Sequence, residues 1–291
     1  IRNTGLIVSI NGGEGNDTIT NSGSFATICA GTGDDSISLS ASSKEILIEY
    51  KTGDGNDTIS GLNSTDTVSI SGDEFTPAIV GNDVMITVGA DTVKLVDAAK
   101  TDVQVVGTRS NLLILTDGDD ELETSLDGAT VAALGGDDDI NSFGSNASIN
   151  GGEGNDSIAN LGDNSTVEGG AGNDSVGNLG NNVTVNLGTG DDNIDNLGSN
   201  VTIDGGAGND TFIYKPGEGT DKIFDYASGD MLKILKSGSS STAKFTKSKY
   251  SGGTLSLTIS GGGNVLFDNV TKSTTFNING TTYKISGSKL K

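Results

Sequence analysis

The chain has 291 residues, with 45 glycines, two prolines, one cysteine and no histidine. Its net charge of −22 argues against nucleic acid and against an anionic membrane surface as partners, because both bind to basic protein surface. Hydrophobic residues make up only 33% of the chain. The chain contains no run of about 18 apolar residues, which is the length that a membrane-spanning helix needs.

The N-terminal third of the chain carries a nine-residue unit in which glycines and an aspartate precede a short apolar stretch. The unit begins at Gly12 and returns at Ala30 and Thr52, with looser nine-residue halves between the copies. Alternating apolar stretches follow between Asp66 and Val96 and are typical of capping strands. We therefore predict a first module, residues 1–105. Because the chain begins inside a repeat half, we expect it to be part of a longer protein.

The same unit recurs in the middle of the chain at a strict spacing. Copies begin at residues 115, 133, 151, 169, 187 and 205, so the period is 18 residues. This indicates a main roll of six coils, residues 106–213. Residues 214–291 hold 11 of the 17 basic residues and only five of the 39 acidic ones, a net charge of +6. We predict that this segment is a C-terminal β capping region.

Each half repeat has six turn residues followed by three strand residues with an apolar middle residue. Alternate side chains of a strand face opposite sides, so middle residues such as Ile158 and Val167 should point inward. Two halves make one coil, and coils stack about 4.8 Å apart. The predicted fold class is all-β: a right-handed parallel β-roll or β-solenoid in two modules with capping strands.

The turns have the chemistry of a calcium site. Glycines permit backbone conformations that expose carbonyl oxygens, and Ca²⁺ takes six to eight oxygen ligands, including carbonyls and carboxylates. Aspartates stacked about 4.8 Å apart repel one another without a cation. We expect calcium binding and folding to be one event, with a Kd on the order of 0.1–1 mM. The candidate metal ligands are Gly13, Gly15, Asp17, Gly31, Gly33, Asp35, Gly53, Gly55, Asp57, Asp120, Asp138, Gly152, Gly154, Asp156, Gly170, Gly172, Asp174, Gly188, Gly190, Asp192, Gly206, Gly208 and Asp210.

These repeats resemble the RTX (repeats-in-toxin) family of secreted bacterial proteins. The resemblance implies a parallel β-roll in which the first six residues of each nonapeptide bind calcium, and an extracellular location. In that family both edges of the roll usually bind calcium. Here every second half repeat resembles residues Asn160–Asn164, with the pattern Asn-Leu-Gly-x-Asn. These half repeats lack the aspartate that ends the turn in the other halves. We therefore expect calcium along one edge only.

The other edge is predicted to be metal-free. Its large apolar residues are expected to tuck inward and plug the turn, and its asparagines to stack as amide ladders. A flat recognition surface is the alternative interpretation of this edge. The apolar residues are Phe143, Leu161, Leu179 and Leu197, and the asparagines are Asn160, Asn178 and Asn196 and, in a second row, Asn146, Asn164, Asn182 and Asn200.

The motif search favours a protein that is not an enzyme. Without histidine there is no histidine-based triad and no His-Glu-x-x-His zinc site, and neither a Gly-x-Ser-x-Gly elbow nor a Walker loop occurs. The favoured function is a structural or adhesive module of a large secreted or cell-surface bacterial protein, with a cell-surface or polysaccharide partner. The alternatives are a calcium-dependent C-terminal export and folding region of a secreted enzyme or toxin, and a polysaccharide- or ice-binding solenoid.

Overall fold

The structure is a computed structural model that describes residues 1–72, 75–101, 103–107, 111–215, 219–236 and 241–291. Strands make up 56% of the chain and helix 1%, and the strands form a parallel β-solenoid of about 12 turns. The predicted all-β solenoid is thereby confirmed. The right-handed sense of the coil and the module boundaries at residues 105/106 and 213/214 stay predictions.

The strands are short because each crosses one face of a coil and then enters a glycine-rich turn. In the N-terminal half they are β1 (Arg2–Asn3), β2 (Ser9–Glu14), β3 (Thr18–Asn21), β4 (Thr27–Thr32), β5 (Ser36–Leu39), β6 (Leu47–Lys51), β7 (Asp57–Ser60), β8 (Thr67–Ser71), β9 (Phe75–Val80), β10 (Asp83–Val88), β11 (Asp91–Val96), β12 (Val103–Gly107), β13 (Asn111–Ile114), β14 (Glu121–Thr124) and β15 (Ala129–Ala132). A 3-10 turn, Ala98–Lys100, lies between β11 and β12.

The C-terminal half has the same character and ends in antiparallel hairpins. Its strands are β16 (Asp139–Ser142), β17 (Ser148–Glu153), β18 (Ser157–Asn160), β19 (Thr166–Ala171), β20 (Ser175–Asn178), β21 (Thr184–Thr189), β22 (Asn193–Asn196), β23 (Thr202–Asp204), β24 (Thr211–Tyr214), β25 (Thr220–Phe224), β26 (Met231–Ile234), β27 (Phe245–Ser251), β28 (Thr254–Ile259), β29 (Asn264–Phe267), β30 (Thr275–Ile278), β31 (Thr281–Ser286) and β32 (Lys289–Leu290).

Backbone contacts divide the chain into two compact units. Unit 1 comprises Ile1–Asp117 and Gly128–Leu134, and unit 2 comprises Gly118–Asp127 and Gly135–Lys291. In unit 1 one face has the strand order β1-β3-β5-β7-β11-β10-β9 and the other runs β2-β4-β6-β8-β12-β13-β15. Strands of successive coils pair in parallel, whereas β9, β10 and β11 pair antiparallel at the end of their sheet.

Unit 2 repeats this plan with longer regular sheets. One face runs β17-β19-β21-β23-β25-β29-β28-β27, and the other runs β14-β16-β18-β20-β22-β24-β26-β30-β31-β32. The coils pair in parallel through β29 on one face and β30 on the other, and the hairpin strands after them pair antiparallel. Antiparallel hairpins end a stack of coils because they pair the backbone that the last coil would otherwise expose.

The register between coils equals the sequence period. Ser157 pairs with Ser175, and Ser175 pairs with Asn193, each 18 residues further along the chain. The inward middle residues Ile158 and Val176 are at most 1% exposed. The thin core is therefore a stack of small aliphatic side chains, one from each half coil, as the alternation predicted.

The C-terminal end of unit 2 has a different, aromatic core. Tyr226 stacks on Phe276 with ring centroids 5.2 Å apart and contacts Phe212 and Phe267. Its hydroxyl donates to the carbonyl oxygen of Asp230 at 2.9 Å and accepts the N–H of Asn277 at 3.2 Å, so the buried phenol has hydrogen-bond partners. In the part of the chain that the structure describes, no helix is long and apolar enough to cross a membrane.

Candidate metal centre

A single row of aspartates follows the glycine-rich edge of each unit. After the first aspartate in each unit, the Oδ1 atom of each aspartate accepts the backbone N–H of the aspartate one coil earlier, at 2.7–3.1 Å. Each hydrogen bond ties two coils together and fixes their register. We call these residues the aspartate row: Asp17, Asp35 and Asp57 in unit 1, and Asp120, Asp138, Asp156, Asp174, Asp192, Asp210 and Asp230 in unit 2.

The second carboxylate oxygen is the unusual feature of the row. In seven of these aspartates the Oδ2 atom is buried and has no hydrogen-bond partner among the described residues: Asp17, Asp35, Asp138, Asp156, Asp174, Asp192 and Asp210. The side chains of the last five are at most 2% exposed. Burying an anionic oxygen without a partner costs on the order of 1–3 kcal/mol or more, so the ionised form of these carboxyl groups is disfavoured in the row as it stands.

Burial raises the pKa of these carboxyl groups. Loss of hydration, together with the charges of neighbouring carboxylates in the row, raises the pKa of Asp174 to about 6 and that of Asp210 to about 7. In unit 1 the same two causes raise the pKa of Asp57 to about 7. The hydrogen bond from the backbone of the preceding coil acts in the opposite direction but does not outweigh burial. A cation beside Oδ2 would restore the ionised form.

A backbone carbonyl faces the same space as the unpartnered carboxylate oxygen. A Cβ atom built on Gly169 would lie 2.5 Å from Asp174 Oδ2 and 2.5 Å from the carbonyl oxygen of Leu187. A side chain at position 169 would therefore collide with both oxygens. Gly151 and Asp156, one coil earlier, have the same arrangement with the carbonyl of Gly169. A carboxylate and a carbonyl that converge in this way are the oxygen ligands that Ca²⁺ prefers.

The turn glycines have the backbone conformation that the sequence predicted. All fourteen candidate glycines have a positive φ, for example 132° at Gly172. A Cβ atom on Gly172 would also clash with the carbonyl of Gly154 in the preceding coil. Only glycine satisfies both the conformation and the close approach of the coils.

Within each unit the structure brings the predicted aspartates into a row, and the glycines lie beside them in the same turns. No three His, Cys, Asp or Glu side chains form a metal-binding group anywhere in the described ranges. An ion at this edge would therefore take one or two carboxylates and complete its shell with backbone carbonyls. That these residues bind calcium stays a prediction.

Sequence reasoning missed one residue with the same character. Asp221 is not among the candidate ligands, yet it is 1% exposed and its Oδ1 accepts the N–H of Val201 at 2.8 Å. Its Oδ2 is buried without a partner among the described residues, and burial raises its pKa to about 6. The signal was present in the sequence, because Gly219 and Ile223 stand at the same distances from Asp221 as in the repeats.

Asp230 closes the row in a different way. Its Oδ1 accepts the N–H of Asp210 at 3.1 Å, and its Oδ2 accepts the N–H of Ala227 at 2.6 Å. Both oxygens therefore have protein partners. Asp66 in unit 1 is satisfied in the same manner by the N–H groups of Ile46 and Asn63. Asp66 and Asp230 are thus hydrogen-bonded on both oxygens, whereas the Oδ2 atoms of the seven aspartates named above have no partner among the described residues.

The opposite edge of unit 2 carries an amide ladder, as predicted. Asn160 Nδ2 donates to Asn178 Oδ1 at 2.8 Å, and Asn178 Nδ2 donates to Asn196 Oδ1 at 2.8 Å. Each Nδ2 also donates to a turn carbonyl two residues later, such as that of Gly162. We call these three asparagines, all at most 2% exposed, the amide ladder. In the outer row, Asn200 likewise donates to Asn182.

The prediction that apolar residues plug this edge is wrong. Leu161 and Leu197 are 39% exposed and Leu179 is 50% exposed, and Phe143 is likewise exposed. The cause is the length of the strand, which continues for a fourth residue to Asn160. Because side chains alternate, Asn160 points inward beside Ile158 and Leu161 points outward.

Comparison with known proteins adds little to this geometry. No protein-family model matches the chain, and no curated protein matches it. Among solved structures, the chain is similar to the "Crystal structure of extracellular lipase LipA from Serratia marcescens", with 15% sequence identity and a TM-score of 0.19. The match covers 88% of this chain and 37% of the lipase chain. This chain thus spans little more than a third of the length of that protein.

Proposed function

We propose that this chain is a calcium-binding structural or adhesive module of a large secreted or cell-surface bacterial protein of the RTX type. The observation that carries the proposal is the aspartate row, with its unpartnered Oδ2 atoms beside backbone carbonyls. In this proposal the chain has no catalytic role. Calcium outside the cell supplies the charge that the row lacks, so the module folds after export.

Calcium is favoured over other cations by the ligand chemistry of the row. The row offers only carboxylate and carbonyl oxygens, the chain has no histidine, and its single cysteine is Cys29. Zinc and copper prefer nitrogen and sulfur ligands, whereas Ca²⁺ accepts an irregular shell of six to eight oxygens. Magnesium demands near-ideal octahedral geometry and keeps its water, so it fits a stacked turn less well.

The test is a calcium titration of the chelator-treated chain, in which far-ultraviolet circular dichroism measures the β-structure at each calcium concentration. We expect little β-structure in excess chelator and cooperative recovery with a midpoint on the order of 0.1–1 mM calcium. Magnesium at the same concentration should restore much less. A chain that keeps its full β-structure in chelator and takes up no calcium would overturn the proposal.

A matched pair of variants locates the ions. Asp174→Asn removes one carboxylate from the middle of the row and should lower the number of bound calcium ions in equilibrium dialysis. Glu168→Gln removes the same charge from an exposed strand position and should leave that number unchanged. Equal stoichiometry in both variants would contradict the assignment of the row as the metal site.

A further inference from the structure

The C-terminal strands of unit 2 form a groove with a volume of about 590 Å³, outside the aspartate row. Strands β27 and β28 form its floor, and β32 contributes to its wall. Three lysines line it, Lys247, Lys249 and Lys289, together with the ring of Phe245 and several serine and threonine hydroxyls. The volume lies in the range of pockets that bind small organic ligands, about 300–1,000 Å³.

Strand register places the lysines and hydroxyls on one surface. Lys247 pairs with Thr258 and Lys249 with Ser256 across the antiparallel strands, so these four side chains share a face. The opposite face of β28 is buried through residues such as Leu257. The groove therefore stands on a rigid, packed sheet.

The third lysine reaches the groove through a different part of the chain. The N–H of Leu290 donates to Ser248 Oγ at 3.0 Å, and the N–H of Tyr250 donates to the carbonyl of Ser288 at 2.8 Å. These contacts dock β32 beside β27 and bring Lys289 to the two strand lysines. Three ammonium groups around one groove repel one another unless an anion lies between them.

The charges of the groove are not compensated within the protein. No carboxylate lines it, and within the described residues none forms an ion pair with any of its three lysines. The groove lies in the segment of net charge +6, whereas residues 1–213 carry −28. A simpler role for lysines on an edge strand is to prevent aggregation between the edges of two sheets. That explanation accounts for Lys247 and Lys249 on β27, but it does not explain why β32 brings a third lysine to the same groove.

We propose that this groove binds an oligosaccharide that carries carboxylate groups. Lysine ammonium groups pair with carboxylates as point charges, and side-chain hydroxyls such as those of Ser256 and Thr258 exchange hydrogen bonds with sugar hydroxyls. Phe245 is half-buried and packs edge-on against Tyr283, with centroids 5.4 Å apart, which holds its ring in place as an apolar wall. The segment contains no arginine, the residue best suited to bidentate phosphate binding.

The experiment uses the full chain in calcium buffer and isothermal titration with trigalacturonate. Neutral maltotriose tests for sugar without charge, and an oligothymidylate tests for a general polyanion. We expect binding of trigalacturonate that weakens when sodium chloride is raised from low to high concentration. Binding of maltotriose with equal affinity, equal or tighter binding of the oligothymidylate, or no binding of trigalacturonate would each overturn the proposal.

Variants assign the binding to the groove. The triple variant Lys247→Ala, Lys249→Ala, Lys289→Ala should lower the affinity for trigalacturonate about tenfold or more, since one exposed ion pair contributes up to about fivefold and three are lost together. Lys272→Ala removes an exposed lysine elsewhere in unit 2 and should leave the affinity unchanged. All four substitutions are at exposed sites, so circular dichroism and calcium uptake should match the parent chain. An unchanged affinity in the triple variant would overturn the assignment.

Discussion

The two edges of unit 2 stack the same coils with different chemistry. On one edge the aspartate row uses Oδ1 to accept a backbone N–H from the neighbouring coil and leaves Oδ2 buried without a partner among the described residues. On the other edge the amide ladder uses Oδ1 as an acceptor and Nδ2 as a donor to both the next asparagine and a turn carbonyl.

The difference follows from the side-chain groups. An amide has donors and an acceptor, so a stack of amides satisfies itself and needs nothing from solution. An ionised carboxylate has only acceptors, and a stack of carboxylates adds repulsion between like charges. The three asparagines of the ladder are therefore tied together by their own hydrogen bonds, while the buried Oδ2 atoms of the aspartate row have no such partner among the described residues.

The largest expected effect comes from converting one edge into the other. Asn178→Asp places a charge at a site that is 0% exposed and removes two donated hydrogen bonds. We expect the free energy of unfolding to fall by about 3–5 kcal/mol at neutral pH in calcium, measured by urea unfolding. Asn186→Asp makes the same change at an exposed strand position and should cost less than about 0.5 kcal/mol. Similar losses in both variants would contradict the buried ladder.

The second effect is the pH dependence of the calcium-free chain. Burial raises the pKa of Asp174 to about 6 and of Asp210 to about 7, above the usual value of 3.8. Stability from these groups is fully present below pH ~3.8 and is lost as the pH rises through 6 and 7, because the folded chain holds protons that the unfolded chain has released. Hydrogen bonds from Asn155 and Asn209 lower the pKa values of Asp137 and Asp191, respectively. Both carboxyl groups are fully exposed.

Any folded calcium-free chain should therefore melt at a lower temperature at pH 8 than at pH 5, by roughly 5 °C or more in thermal unfolding. Saturating calcium should remove this slope, because a bound cation keeps the carboxylates ionised at both pH values. A melting temperature that rises with pH in chelator would show that the row is not destabilised by its own charge.

A smaller effect tests whether the amide ladder can be extended. The ladder ends at Asn160, whose Oδ1 has no hydrogen-bond partner within the described ranges, and the same holds for the buried hydroxyl of Ser142 in the coil before it. In Ser142→Asn the new Nδ2 should donate to Asn160 Oδ1 and raise the free energy of unfolding by about 1 kcal/mol. Ser142→Ala removes the unpartnered hydroxyl without adding a donor and serves as the control. The idea is wrong if the asparagine variant is no more stable than the alanine variant.

The smallest effect concerns the exposed apolar residues beside the ladder. Leu179→Ala should change the free energy of unfolding by less than about 0.5 kcal/mol, because the side chain is 50% exposed. Leu187→Ala, at a position that is 0% exposed on the aspartate edge, should cost about 2–5 kcal/mol. A large loss for Leu179→Ala in thermal or urea unfolding would restore the original interpretation of this residue as a plug.

The sequence was sufficient for the features that repeat locally along the chain. The 18-residue spacing predicted the register between coils, and the apolar middle residues such as Val167 predicted the inward positions. Glycine at fixed turn positions predicted the positive φ values, and the recurrent aspartates predicted a single charged row. These properties depend on alternation and on turn conformation, which nearby residues determine.

The tertiary structure was needed wherever a property depends on two coils or two distant strands. The fourth residue of each half-coil strand pairs with the next coil, and this turned Asn160 inward and Leu161 outward. The Oδ1 atoms of Asp221 and Asp230 both accept an N–H from an earlier coil, whereas Oδ2 has a partner in Asp230, the N–H of Ala227, and none among the described residues in Asp221. Likewise, Lys289 and Lys247 line the same groove only because β32 docks beside β27, and no local pattern encodes that docking.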